Sequence, residues 1–166
     1  FSKILKIDDE KVFLNGFMLR LDTPSDKRNT LGWHQDSPYY RQTLPNFNAY
    51  VCWLPLSSVN KNNGSIIYAE GSHKEGYINK DLSNQKNSIF SKQQNLNVSK
   101  KYRLKNFRAS FGDLGIFHMN LMHRSGFNSS KKIRISLGVR CHDMSKNFNI
   151  GKEVFQYKYI KGSDQA

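Results

Sequence analysis

The chain has 166 residues, with 26 Lys and Arg against 13 Asp and Glu, a formal net charge of +13 and a pI near 9.8. A chain of this length buries roughly 70% of the surface its unfolded form exposes, so one domain with its own core is expected and no disulfide scaffold is needed. The 13% aromatic content excludes a disordered chain, and no run of apolar residues approaches the length of a membrane-spanning helix. The positive charge suits anionic partners. Yet the lysines are scattered among asparagines, as in Asn60-Lys61-Asn62-Asn63, without a block of like charges. Nucleic acid is therefore not the expected partner. Two cysteines, Cys52 and Cys141, give no disulfide framework and suit a reducing, cytoplasmic setting. The chain opens on Phe1 with no signal-peptide layout, as a trimmed chain or a piece of a longer one does.

In chain order, residues 4–7, 12–14 and 17–21 have strand character, with Asp8-Asp9 and Asn15-Gly16 as tight turns between them. Asn-Gly is a strong hairpin signal because both residues tolerate positive φ. Residues 49–56 form a further strand, and Asn63-Gly64 turns into another at 65–69. Residues 71–105 are polar and weakly patterned, an insertion of the length that lids have; within it, 79–90 holds the one candidate helix. Too few large apolar residues occur there to offset ordering, so we expect it to be loosely packed until substrate binds. Strands resume at 107–110, 114–118, 133–139 and 154–160. Short strands at close spacing, with Gly and Asn turns and no repeat, predict a mainly β sandwich or barrel in a single domain over 1–166.

The chemistry begins at His34-Gln35-Asp36. In a strand, residues i and i+2 share a face, so His34 and Asp36 would present an imidazole and a carboxylate together. His123 adds a second imidazole after the strand at 114–118. Two His and one carboxylate make the facial triad of non-haem Fe(II) oxygenases, which leaves three adjacent positions open. Arg134 starts a strand in which Arg134, Ser136, Gly138 and Arg140 alternate with apolar residues. Small neighbours leave room for a ligand, and a guanidinium suits bidentate capture of a carboxylate.

Trp33-His34-Gln35-Asp36, Asn63-Gly64-Ser65, Gly71-Ser72-His73-Lys74, the run from Gly112 to His118, His123-Arg124-Ser125-Gly126 and Arg134 follow in that order. With them the sequence resembles the phytanoyl-CoA dioxygenase family over about residues 17–140. His34 and His123 lie 89 positions apart (123 less 34), and Arg134 follows 11 after His123 (134 less 123), as in that family. The resemblance implies a double-stranded β-helix of the jelly-roll, cupin-like kind. It also implies an Fe(II)- and 2-oxoglutarate-dependent dioxygenase acting on a small molecule with dioxygen and releasing succinate and carbon dioxide. His34, Asp36 and His123 match the iron ligands. Arg134 matches the arginine that grips the distal carboxylate of 2-oxoglutarate, Ser125 an assisting hydroxyl, and Trp53 and Met18 the walls of the co-substrate pocket. Asp36 stands where related halogenases have a small residue, which favours hydroxylation or desaturation. Substrate would be shaped by residues 22–30, 39–46 and 71–105, and the basic balance favours an anionic one. His73, His118 and His142 carry no expected catalytic role.

The family's helical N-terminal region has no counterpart before residue 17. An AlkB-type nucleic-acid demethylase shares the metal and co-substrate and would use the pair Arg134 and Arg140. A β-helix that binds metal or ligand without turnover is a reading from another class. Zinc hydrolysis accepts the same ligands but leaves Arg134 without a task.

Overall fold

The computed structural model describes residues 2–28, 30–37, 48–77, 98 and 100–145. The expected helix at 79–90 and strand at 154–160 lie outside them, as does the middle of the 71–105 insertion. Among the described residues, seven strands form two antiparallel sheets. The strands are β1 (Val12–Asp22), β2 (Ala49–Pro55), β3 (Ile66–Ala69), β4 (Leu104–Asn106), β5 (Gly115–His118), β6 (His123–Ser125) and β7 (Arg134–Asp143). A four-stranded sheet runs β1-β7-β2-β5 and a three-stranded sheet runs β4-β3-β6. Inward residues of both line one cavity, the layout expected of a double-stranded β-helix. No helix among the described residues is long and apolar enough to cross a membrane.

β7 is the backbone of the larger sheet, pairing with β1 on one side and β2 on the other. Its alternation sends Arg134, Ser136, Gly138 and Arg140 toward the smaller sheet and Ile135, Leu137, Val139 and Cys141 to the opposite face. On that outer face Cys52, Val139 and Cys141 make a small buried cluster with Leu5, Val12 and Leu54. Both thiols are free, and burial pushes them up, to about 12 for Cys52 and about 11 for Cys141. A second cluster, Trp33, Ala69 and Val98 with Ile67, Tyr102 and Met122, backs the smaller sheet.

Four local expectations need correction. Residues 4–7 are not a strand: Ser2–Leu5 is one helical turn, α1, closed by Ile7 N donating to Ser2 O at 3.2 Å and seated by Leu5 on the cysteine cluster. Asn15-Gly16 does not reverse the chain. β1 is continuous, and the register slips between Asn15 (opposite Arg140) and Met18 (opposite Gly138), so one extra residue bulges out. Gly16 takes φ 60° there, the left-handed conformation that the first residue of such a bulge needs. The strand expected at 107–110 is a single bridge, Ala109 to Val59, and the ladder on β3 comes from Leu104–Asn106 instead. Finally, β6 was not foreseen as a strand, because three residues are too short to show a period.

Candidate metal and co-substrate site

His34 is not in a strand. It makes one reciprocal bridge with His123, each backbone N donating to the other's carbonyl at 2.9 Å. Buried Gln35 donates from Nε2 to the carbonyls of Gly76 at 2.9 Å and Asn120 at 2.6 Å, and Asp36 N donates to Met119 O at 2.9 Å. These bonds fix the His-Gln-Asp stretch where a full ladder had been expected to do so. His123 opens β6, which holds it beside His34 with ring centroids 4.3 Å apart.

The two imidazoles are oriented alike. His34 Nδ1 lies 2.7 Å from Gly32 O and His123 Nδ1 lies 2.9 Å from Leu121 O. A carbonyl only accepts, so each Nδ1 carries the hydrogen and the neutral ring turns an Nε2 lone pair inward. Asp36 Oδ1 stands 3.5 Å from His34 Nε2 and 3.8 Å from His123 Nε2. All three ligand atoms lie within 4.8 Å of one another, the one such group among the described residues. Burial, with the nearby His34, pulls His123 down to about 4, so its ring is neutral at neutral pH. Burial alone would raise Asp36; the His34 ring beside it and the Arg140 guanidinium outweigh this and hold it below the usual carboxylate range. Two neutral nitrogens and one ionised oxygen on one side of a cavity fit a divalent first-row cation. The carbonyls of Gly32 and Leu121 behind the rings fix which nitrogen faces inward, as such a site needs.

The cavity, about 440 Å³, extends from this cluster along the inner face of β7 to Arg134. Arg134 is 2% exposed. Its Nη1 donates to Ser136 Oγ at 2.8 Å, its Nη2 donates to Asp22 Oδ2, and its guanidinium lies 5.3 Å over the Trp53 ring. Its Nε has no hydrogen-bond partner among the described residues. The Nε of Arg140 is unpartnered in the same way; such an orphaned buried N–H is costly unless an acceptor comes to it. Asp22 also receives Arg20 Nε, at 3.0 and 3.1 Å to its two oxygens. Arg20 Nη2 donates to Ser125 Oγ at 3.0 Å, and Leu31 N donates to the same oxygen at 3.1 Å. Met18 faces Gly138 across β1 and β7, and both line the cavity.

The structure thus brings His34, Asp36, His123, Arg134, Ser125, Trp53 and Met18 to one cavity. Sequence reasoning missed Arg20 and Asp22, and Asp22 belongs to β1, not to the loop at 22–30 assigned to substrate. The alternation Met18, Arg20, Asp22 within residues 17–22 was the available signal. His118 accepts from Asn120 N through Nδ1 at 3.0 Å, and His142 Nε2 meets Asn15 Oδ1 at 2.9 Å; both sit apart from the ligand cluster.

Comparison with known proteins adds the following. The sequence profile of the phytanoyl-CoA dioxygenase family matches residues 14–136. No curated protein sequence matches the chain. Among solved structures, EvdO2 from Micromonospora carbonacea var. aurantiaca complexed with 2-oxoglutarate is 16% identical with a TM-score of 0.65, covering 86% of this chain and 56% of its own. EctD from S. alaskensis with 2-oxoglutarate and 5-hydroxyectoine is 16% identical, with a TM-score of 0.66, 83% of this chain and 46% of its own. SnoK, a non-heme alpha ketoglutarate dependent carbocyclase from nogalamycin biosynthesis, is 17% identical, with a TM-score of 0.59, 80% and 50%. At these identities the likeness shows the fold. The chain spans between about a quarter and a little over half of the solved chains it matches, 27% for EvdMO1 and 56% for EvdO2.

Proposed function

The chain belongs to the phytanoyl-CoA dioxygenase family, and from that premise we propose that it is an Fe(II)- and 2-oxoglutarate-dependent dioxygenase that hydroxylates a small metabolite. The observation that carries this reading is one cavity with His34, Asp36 and His123 converging at one point of it and the buried Arg134 at another. When bound with 2-oxoglutarate and dioxygen, Fe(II) supplies oxidative decarboxylation to succinate and carbon dioxide and the transfer of one oxygen atom to a substrate C–H bond.

The chain's own residues bind and orient. His34 Nε2, Asp36 Oδ1 and His123 Nε2 would hold the metal, and three protein ligands would leave positions for small ligands. Arg134 takes the distal carboxylate of 2-oxoglutarate, with Trp53 under the guanidinium to fix its plane. An incoming carboxylate would share or displace Asp22 at Nη2; Asp22 keeps Arg20 as partner, so no buried charge is stranded. Ser125 and Met18 close the wall between the two ends. Arg20, Arg124, Arg134 and Arg140 against Asp22 and Asp36 leave this cavity cationic before any metal enters. That supports an anionic co-substrate and favours an anionic substrate.

The test is succinate release by the Fe(II)-loaded protein with a panel of anionic metabolites, beside anaerobic Mn(II) binding. We expect 2-oxoglutarate-dependent succinate and a dissociation constant that rises at least 100-fold in His123→Ala. Metal binding with no succinate from any substrate, or from 2-oxoglutarate alone, identifies a binding protein without turnover and overturns the proposal.

A further inference from the structure

Arg140 has no part in gripping 2-oxoglutarate in the scheme above, yet it is held in the same cavity. It stands on the inner face of β7, six positions beyond Arg134 and past the metal cluster. One prong of its guanidinium, Nη2, donates to Asp36 Oδ2 at 3.0 Å. The other, Nη1, donates to Gly16 O at 3.1 Å. The Asn15-Gly16 bulge, with Gly16 at positive φ, is what aims that carbonyl inward, beside the slipped register Asn15–Arg140. Both prongs are anchored, so the fork cannot turn. Meanwhile Asp36 Oδ1, and not Oδ2, is the oxygen that faces both imidazoles.

We propose that Arg140 is a positioning residue that keeps Asp36 monodentate: by occupying Oδ2 it leaves Oδ1 as the only oxygen available to the metal. The inference rests on the reading of His34, Asp36 and His123 as the metal ligands. A carboxylate that rotates freely can chelate through both oxygens and fill two coordination positions. A six-coordinate ion with two His nitrogens and a bidentate Asp has two positions left. A bidentate co-substrate and dioxygen need three. The ion pair between Arg140 and Asp36 therefore selects the coordination number that the proposed reaction requires. Partners behind a metal ligand commonly carry this task. A lysine keeps the charge but supplies a point donor without the fixed fork, so it cannot hold Gly16 O and Oδ2 in the same geometry.

The test is Co(II) binding to the protein under anaerobic conditions, read by affinity and by visible absorption at saturating metal. Arg140→Leu is expected to change the Co(II) spectrum, because Asp36 is then free to chelate, and to move the dissociation constant about 10-fold or more from the parent's. Arg140→Lys should fall between Leu and the parent in both readouts. A purely structural role would lower Tm but leave the spectrum of the folded, saturated protein unchanged. Unchanged affinity and spectrum in a folded Arg140→Leu overturn the proposal, whatever happens to turnover. If the leucine variant does not fold, the lysine variant decides on the same two readouts. His123→Ala separates the layers: parent-like Co(II) affinity there removes the ligand assignment itself, whereas its loss alongside an unaffected Arg140→Leu removes only the role of Arg140.

Discussion

The inner face of the four-stranded sheet holds Arg20, Asp22, Arg134, Ser136 and Arg140 in buried or half-buried positions, while its outer face leaves Phe17 at 68% and Leu19 at 59% exposure. Usual practice in a half-buried sheet is the reverse. The inner face tolerates its charges because they are cross-linked. Asp22 is shared by Arg20 and Arg134, Asp36 by Arg140 and the two imidazoles, and Ser125 and Ser136 fill donor valences between them. Charge on the inner face is retained for chemistry and held by pairing; the apolar residues at the edge of the outer face contribute little area to any core. The two faces should therefore respond very differently to substitution.

Arg134→Leu is the most damaging of the changes we compare. It leaves a carboxylate unpaired in the cavity, at a cost of about 2–5 kcal/mol, so KM for 2-oxoglutarate should rise by orders of magnitude in succinate-release kinetics. A larger rise from Arg140→Leu would break the division of labour between the two arginines. Next comes a pH effect. Burial, aided by the charge of Arg140, pulls the inner-face His142 down from 6.5 to about 4. The unfolded chain then binds more protons between these values, so stability is full above pH 6.5 and falls as the pH drops toward 4, by up to roughly 3 kcal/mol. Tm recorded from pH 7 to 4 should decline less steeply in His142→Gln, and an identical slope would remove His142 from the account. The smallest effect belongs to the outer face. Leu19→Ser should change stability by about 0.5 kcal/mol or less in urea unfolding; a loss above 2 kcal/mol would mean that this face is packed after all.

What the sequence made legible follows the same division. The proposed metal ligands and Arg134 are visible as residue types at fixed spacing, a signal that does not depend on which way a strand points. The family resemblance drew on the same residues. Arg20 and Asp22 were not visible, because their role depends on parity. Before the bulge Phe13 and Asn15 pair with His142 and Arg140 on the inner face; after it Met18, Arg20 and Asp22 pair there with Gly138, Ser136 and Arg134. Odd positions point inward first, and even positions later. The extra residue at Asn15-Gly16 makes that exchange, and a dipeptide so common in hairpin turns gives no hint that the chain continues straight. The turn at α1 was lost for a related reason: four residues hold too little pattern to separate a helical turn from a strand.

The reciprocal pair of hydrogen bonds between His34 and His123 has a kinetic consequence. Because each main-chain amide is the other's partner, the two ligands separate only by breaking both bonds in one opening, and they return together. The distance between the imidazoles is thereby set by the polypeptide rather than by the ion. The entropy of gathering two ligands from segments 89 positions apart (123 less 34) is lost once, during folding, and not at each encounter with metal. If these are the ligands, capture of an ion would resemble docking into a finished socket, and its release need not wait for, or cause, unravelling of the strands that hold it.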